Sequence, residues 1–359
     1  MTASIGLPEI IAGIIVLALN AYALLGGADF GGGVWDLLAS GPRKEAQRKL
    51  IADSIAPIWE ANHVWLIIVV VMLFTAFPRA FSMLGIVLHI PLSLVLIGII
   101  MRGSAFVFRS YGSRTKERRT TWGRVFSIAS MVAPLLLGAV IGAIADGSVG
   151  DAAERVGVAS FATVFIAPWT SPFALAVGVF ALVLFAFLAA VYATVAARTD
   201  ELREDFRKRA LIVAGIVFVI AAFTLVASSM DEGAATGFLE KVWSPALHIV
   251  TGTAAIAAIV GLWTRRYRLA RIAAALQVSC IIWGWALAQF PYIVPARHVL
   301  SALNPDVPAI ALSIRDAAAP RATLDLLLVA LIVGSIVLIP SLVYLFRTFT
   351  ASDRPPQKG

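Results

Sequence analysis

The chain has 359 residues, 60% of them hydrophobic and only 14% charged, where an ordinary soluble domain carries about 25% charged residues. That is too little polar side chain to cover a water-soluble surface of this size, which leaves lipid as the solvent. The net charge of +8 does not point to nucleic acid, because the charges sit in short stretches between long apolar runs.

Met1 to Ser4 lack the basic start of a cleaved signal peptide, so the first apolar run reads as a retained helix. A crossing helix needs about 20 mostly apolar residues, and the stretches that qualify lie near Pro8–Leu25, Ile58–Phe77, Phe81–Met101, Val125–Ala145, Phe173–Thr194, Ala210–Ser228, Ala246–Trp263, Ile272–Phe290 and Thr323–Phe346. Their length and uniform apolarity suit helices, not the alternating ten-residue strands of a barrel. The expected fold is therefore all-α, a polytopic bundle of about nine transmembrane helices. Residues 1–350 read as one membrane domain and 351–359 as a short polar tail.

Lysine and arginine set the orientation. They cluster at Arg43–Lys49, Arg102–Arg124, Arg198–Arg209, Arg265–Arg271 and the tail, whereas Arg79, Arg155, Lys241, Arg297, Arg315 and Arg321 fall on the other side. This alternation predicts a periplasmic N-terminus and a cytoplasmic C-terminus in a bacterial inner membrane. The single cysteine, Cys280, lies in an apolar run and cannot form an intrachain disulfide.

Ionisable residues at membrane depth are costly and mark function. Asp29 lies in the run Gly26-Gly27-Ala28-Asp29-Phe30-Gly31-Gly32-Gly33, near the cytoplasmic end of the first helix. The glycines allow either close helix approach or a local break. Glu60 opens the second helix in Trp59-Glu60-Ala61-Asn62-His63-Val64-Trp65-Leu66, with His63 one turn deeper on the same face. A carboxylate and an imidazole at that spacing can pass a proton. His89, next to Ile90-Pro91, reads as lying midway along the third helix, and Arg102 closes that helix on the cytoplasmic side. Asn62, His89 and Arg102 are candidate supporting polar residues. His248 and His298 read as structural or solvated. Four histidines and six methionines offer no convincing pair of haem ligands, and no Cys/His cluster suggests a metal site. An alternative reading is a secondary transporter with Asp29 in a broken first helix, although the glycine-rich stretch has no second copy in the C-terminal half.

Trp59-Glu60-Ala61-Asn62-His63-Val64-Trp65-Leu66, preceded by Ser54-Ile55-Ala56-Pro57, resembles the W-[DE]-x-N-x-V-W-L signature of subunit II of cytochrome bd ubiquinol oxidases. Gly27-Ala28-Asp29-Phe30-Gly31-Gly32-Gly33 is similar to that family's G-x-D-[LMF]-G-x-G. Leu73-Phe74-Thr75-Ala76-Phe77-Pro78, Arg102-Gly103, Phe108-Arg109, Ser171-Pro172-Phe173, Phe290-Pro291-Tyr292 and Asp316-Ala317 follow in the family's order.

The resemblance implies a nine-helix subunit of an oxygen-reducing, proton-motive quinol oxidase that is not catalytic alone. It implies a haem-bearing subunit I as partner, holding b-type haems, haem d and the quinol-oxidation loop, while subunit II binds no haem itself. Some members also hold a structural quinone. The resemblance places Asp29 and Glu60 on positions used for proton delivery from the cytoplasm, with His63 beside them. Glu60 stands where many relatives have Asp. The acid often found before the fourth helix is missing from Trp122-Gly123-Arg124.

Overall fold

The computed structural model describes residues 5–55, 59–109, 116–230, 241–295 and 311–352. The chain is a helical bundle, as its long apolar runs require, since a spanning segment must satisfy its backbone hydrogen bonds internally. The helices are α1 (Leu7–Leu37), α2 (Lys44–Ile55), α3 (Trp59–Ala76), α4 (Pro78–Val87), α5 (His89–Val107) and α6 (Lys116–Ala145). Three short pieces follow, α7 (Ser148–Glu154), α8 (Phe161–Phe165) and α9 (Ala167–Thr170). Then come α10 (Pro172–Ala196), α11 (Asp200–Met230), α12 (Ser244–Trp263) and α13 (Tyr267–Gln289). Strands β1 (Tyr292–Val294) and β2 (Leu312–Ser313) pair antiparallel, with Tyr292 opposite Ser313, and lead into α14 (Ile314–Ala317) and α15 (Arg321–Ser352).

Among the described residues, eight helices are each long and apolar enough to cross a bilayer, and a ninth crossing is reached when α3 and α4 are taken as one span. Those two helices meet at a bend of 115°. The sequence placed a single crossing over Phe81–Met101, and the structure divides it. Pro78 opens α4 at its first turn, where a missing N–H costs nothing. The chain turns again at Leu88, and α5 makes the crossing as far as Val107. The buried side of α4 (Ala80, Leu84, Val87) joins an apolar layer with Val149 and Ala152 of α7, Val294, Leu312 and Ala317. This layer caps the end of the bundle opposite the arginine-rich end.

The largest departure from the sequence reading is α1, which continues through the glycine run to Leu37. At 1.5 Å per residue, 31 residues span about 46 Å, well over the ~30 Å hydrocarbon layer. Helix propensity argues against five glycines in eight residues, but here packing overrides it. A Cβ on Gly31 would lie 2.0 Å from the carbonyl oxygen of Phe185 in α10, and one on Gly33 would lie 2.2 Å from Cβ of Ser130 in α6. The glycines therefore let backbones touch and do not break the helix. The broken-helix transporter reading loses its structural premise.

Helix α1 occupies the middle of the bundle, packed against α3, α6, α10 and α13. Its N-terminus is fixed by Glu9, which accepts from the Gly6 N–H at 2.9 Å and from Arg315 Nε at 2.6 Å. At the arginine-rich end lies α2, between the first two crossings. Gln47, Ile51 and Ile55 recur every fourth residue and form its buried face. Arg43 and Gln47 bind Asp205 of α11, and Arg209 donates to Gln47 at 2.7 Å. By contrast, α15 lies mostly on the outside of the bundle: Leu324 near its start is buried, with Leu327 and Leu331 packed beside it, and the rest of its described crossing stretch is half-buried or exposed.

Candidate functional site

The buried polar residues Asp29, Asn62, Arg102 and Ser130 come together where α1, α3, α5 and α6 meet. Asp29 is 6% exposed and Asn62 1%. The Asn62 side-chain amide donates to Asp29 Oδ2. An ionised carboxylate only accepts hydrogen bonds, which fixes the amide nitrogen toward it. Asn62 is thus the direct partner of Asp29, a closer role than the supporting one its sequence position suggested.

Arg102 departs furthest from its sequence reading. It does not snorkel to the surface. It is 2% exposed, and α5 continues beyond it to Val107. Its guanidinium carbon lies 4.9 Å from the ring centre of Phe30 and 5.3 Å from that of Phe126. Nε donates to Ser130 Oγ at 3.2 Å, and Ser130 Oγ donates to the Phe126 carbonyl at 2.7 Å. Gly33 makes this possible, because any side chain there would occupy the space of Ser130. Gly103 plays a similar part for Trp59, whose ring edge lies 3.1 Å from where its Cβ would be. Arg102 and Asp29 act on each other electrostatically across this cluster.

His63 is half-buried, its ring set among Tyr22 (5.9 Å between centroids), Phe30 (6.2 Å) and Trp59 (6.3 Å). It does not hydrogen-bond to Asp29 or Asn62. Its Nδ1 has no hydrogen-bond partner among the described residues, and the same holds for Tyr22 Oη, Asn62 Oδ1 and Arg102 Nη2. Each such buried atom costs roughly 1–3 kcal/mol if left unmatched. Glu60 lies in the first turn of α3, but its side chain falls outside the described residues, as does His298.

His89 is not midway along a crossing helix. It is exposed at the first residue of α5, where Nδ1 contacts the Ile86 carbonyl at 2.9 Å and the ring meets Phe165 edge-on at 5.2 Å. Thirteen residues separate it from Arg102, about 20 Å along the helix. Pro91 falls in that first turn, so it releases no carbonyl inside a span. His89 therefore belongs to the α4–α5 elbow and not to the cluster.

The sequence reading missed Asp36. This acid is 2% exposed in the last turn of α1. Its Oδ2 accepts from Arg109 Nη1 at 2.8 Å and from Ser127 Oγ at 3.3 Å, and its backbone carbonyl accepts from Arg48 Nε at 3.2 Å. The signal was available in the spacing: Tyr22, Asp29 and Asp36 recur at seven residues, two helical turns, and so share one face. Arg102 on α5 and Arg109 just beyond its end repeat the same interval. Bounding the first crossing at Leu25, with either close approach or a break open at the glycines, hid this stripe. Among the described residues no group of three or more His, Cys, Asp or Glu is arranged to hold a metal ion.

The Arg102 environment makes a direct prediction. Arg102→Lys keeps the charge but loses the planar stacking between two rings and the fixed Nε donor. It is expected to cost about 1–2 kcal/mol of stability, read as a lowered thermal midpoint of the purified protein in detergent.

Comparison with known proteins follows the same architecture. The family described as cytochrome bd terminal oxidase subunit II matches residues 7–349. The chain is 26% identical over 355 residues to cytochrome bd-I ubiquinol oxidase subunit 2 of Escherichia coli K12, covering 91% of this chain and 90% of that one. It is 26% identical over 340 residues to a putative cytochrome bd menaquinol oxidase subunit II of Bacillus subtilis, covering 93% and 92%. The solved bd oxidase from Geobacillus thermodenitrificans superposes with a TM-score of 0.75 at 22% identity, covering 96% of this chain and 98% of that one, and shares its fold. With the family match running almost from end to end of a multi-pass membrane bundle, the chain belongs to the cytochrome bd terminal oxidase subunit II family.

Proposed function

We propose that this chain is the haem-free second subunit of a quinol:oxygen oxidoreductase, paired in the inner membrane with a larger haem-bearing subunit I. In this reading it stabilises that partner and leads protons from the cytoplasm toward its oxygen-reducing centre. The haems, b-type and d-type, reside in the partner, as does quinol oxidation. The arginine-rich end faces the cytoplasm and the N-terminus the periplasm, in keeping with the distribution of Lys and Arg.

One observation carries the proton role: a carboxylate, Asp29, buried at membrane depth and bonded to Asn62. Around it stand Tyr22, His63 and Arg102, each with a polar atom free to take a further hydrogen bond. Intramembrane acids are retained despite their cost where they conduct protons or ions. Reducing oxygen to water consumes protons, and a carboxylate inside the bundle can take one up and release it. Asn62 holds the Asp29 carboxylate in place, and Arg102 offsets its charge. Glu60, one turn before His63 on α3, stands at the mouth of the route.

The partner and the orientation are tested together. A tag placed after Lys358 should capture, from native membranes, a haem-bearing subunit whose reduced-minus-oxidised spectrum shows d-type absorbance in the red. A reporter fused at the same point should be active only in the cytoplasm. A chain that purifies alone without haem would sink the subunit reading, and a periplasmic reporter would reverse the direction of proton entry.

A further inference from the structure

Asp36 is the second acid buried in the described bundle interior along α1, and it lies outside the cluster of Asp29, Asn62 and Arg102. As a structural residue it is poorly placed. It sits in the last turn of α1, where a negative charge opposes the helix dipole by roughly 0.3–1 kcal/mol. Apolar side chains of similar volume would often pack there at equal or lower cost than a buried ion pair.

Its surroundings are ordered in a way that links surface and interior. The Asp36 side chain is 3% exposed, but its partner Arg109 is 21% exposed. The pair thus has one member sealed in the bundle and one that reaches the arginine-rich surface. Inward, Asp36 accepts from Ser127. One turn deeper on the same face of α6 is Ser130, which accepts from Arg102, the residue acting electrostatically on Asp29. Ser127 and Ser130 are both buried. The charged groups that face Asp36 are Arg109, just beyond α5, and Arg48 of α2, which holds its backbone carbonyl. Asp29 and Asp36 stand two turns apart, about 10 Å, with Arg102 and Arg109 at the same interval beside them.

We propose that Asp36 is the acid through which protons enter the buried cluster, taken up beside Arg109 and released toward Asp29 along the Ser127–Ser130 edge of α6. The inference rests on reading the cluster as a proton route. A hydronium ion gives its proton to the Asp36 carboxylate and leaves as water. The acid then passes that proton inward and returns to carboxylate, so no charge accumulates. Arg109 balances the carboxylate at rest and can swing toward solvent when Asp36 is neutral.

The test uses the assembled oxidase, reduced and then exposed to oxygen, with proton uptake followed by a pH-indicator dye in a single turnover. Asp36→Asn is expected to slow uptake roughly tenfold at unchanged haem content, and Asp36→Glu to restore most of it. Ser127→Ala, which leaves the Asp36–Arg109 pair in place, is expected to slow uptake as well. Asp29→Asn serves as the reference. If Asp29→Asn slows uptake while Asp36→Asn, with haem intact, does not, Asp36 is a clamp and this proposal falls, although the proton route stands. If neither slows it, both fall. If Asp36→Asn fails to assemble, Ser127→Ala decides: unchanged uptake overturns the proposal and slowed uptake supports it.

Discussion

Replacing Asp29 by Asn in the assembled complex is expected to lower oxygen consumption per haem about a hundredfold, in the range lost when a positioned proton-transfer group is removed. Asn has the same shape and can still bond to Asn62, but it cannot carry a proton. The change also removes the negative charge nearest the buried Arg102, so some loss of stability accompanies it. For this reason turnover must be divided by haem content. A fall in haem that accounts for the whole loss of activity would mean that Asp29 holds the bundle together and conducts nothing. Undiminished turnover per haem would remove it from any proton route. Asp29→Glu, which keeps the acid, is expected to retain far more activity than Asp29→Asn, and equal values for the two would argue against proton transfer.

The second large effect is steric. Gly31→Ala is expected to prevent accumulation of the folded subunit, measured as the amount of haem-loaded complex recovered from membranes. The added methyl would sit 2.0 Å from the Phe185 carbonyl oxygen and 2.8 Å from Ala189 Cβ. The first of these is helix backbone and cannot rotate away. Helices α1 and α10 would have to part by on the order of 1 Å in a close-packed interior, disturbing Gly27 against the Phe185 ring in the same seam. Overpacking of this kind costs about 1–3 kcal/mol, more when backbone must move. Gly13→Ala on the same helix is the control, since nothing lies within 4 Å of its Cβ position. It should be neutral or stabilise by up to about 1 kcal/mol. Equal yields for Gly13→Ala and Gly31→Ala would refute close backbone contact as the purpose of the glycine run.

These two experiments separate the roles of one short segment. In Gly26–Gly33 the glycines set the distances between α1 and its neighbours, and Asp29 is the carboxylate that the packing encloses. Gly33 joins the two roles. By admitting Ser130 it places the hydroxyl that holds Arg102, and Arg102 in turn faces Asp29.

The amino-acid sequence by itself determined that this is a multi-pass helical membrane protein, roughly where its crossings lie, and that Asp29 and the Trp59–Leu66 segment are unusual. Those properties are local. An apolar run of about 20 residues has one stable state in a bilayer, and a charge within such a run stands out wherever its neighbours lie. The tertiary structure alone decided that α1 continues through its glycines, that Arg102 is enclosed by Phe30 and Phe126, that His89 belongs to an elbow, and that Asp36 is buried. Each of these depends on which side chain or backbone of another helix fills the space beside it. A glycine ends a helix in water and packs one in a bundle, and an arginine at a membrane boundary is drawn to lipid phosphate unless a neighbouring helix offers it aromatic faces and a hydroxyl. Those partners lie tens of residues away along the chain, so only the assembled helices could settle the outcome.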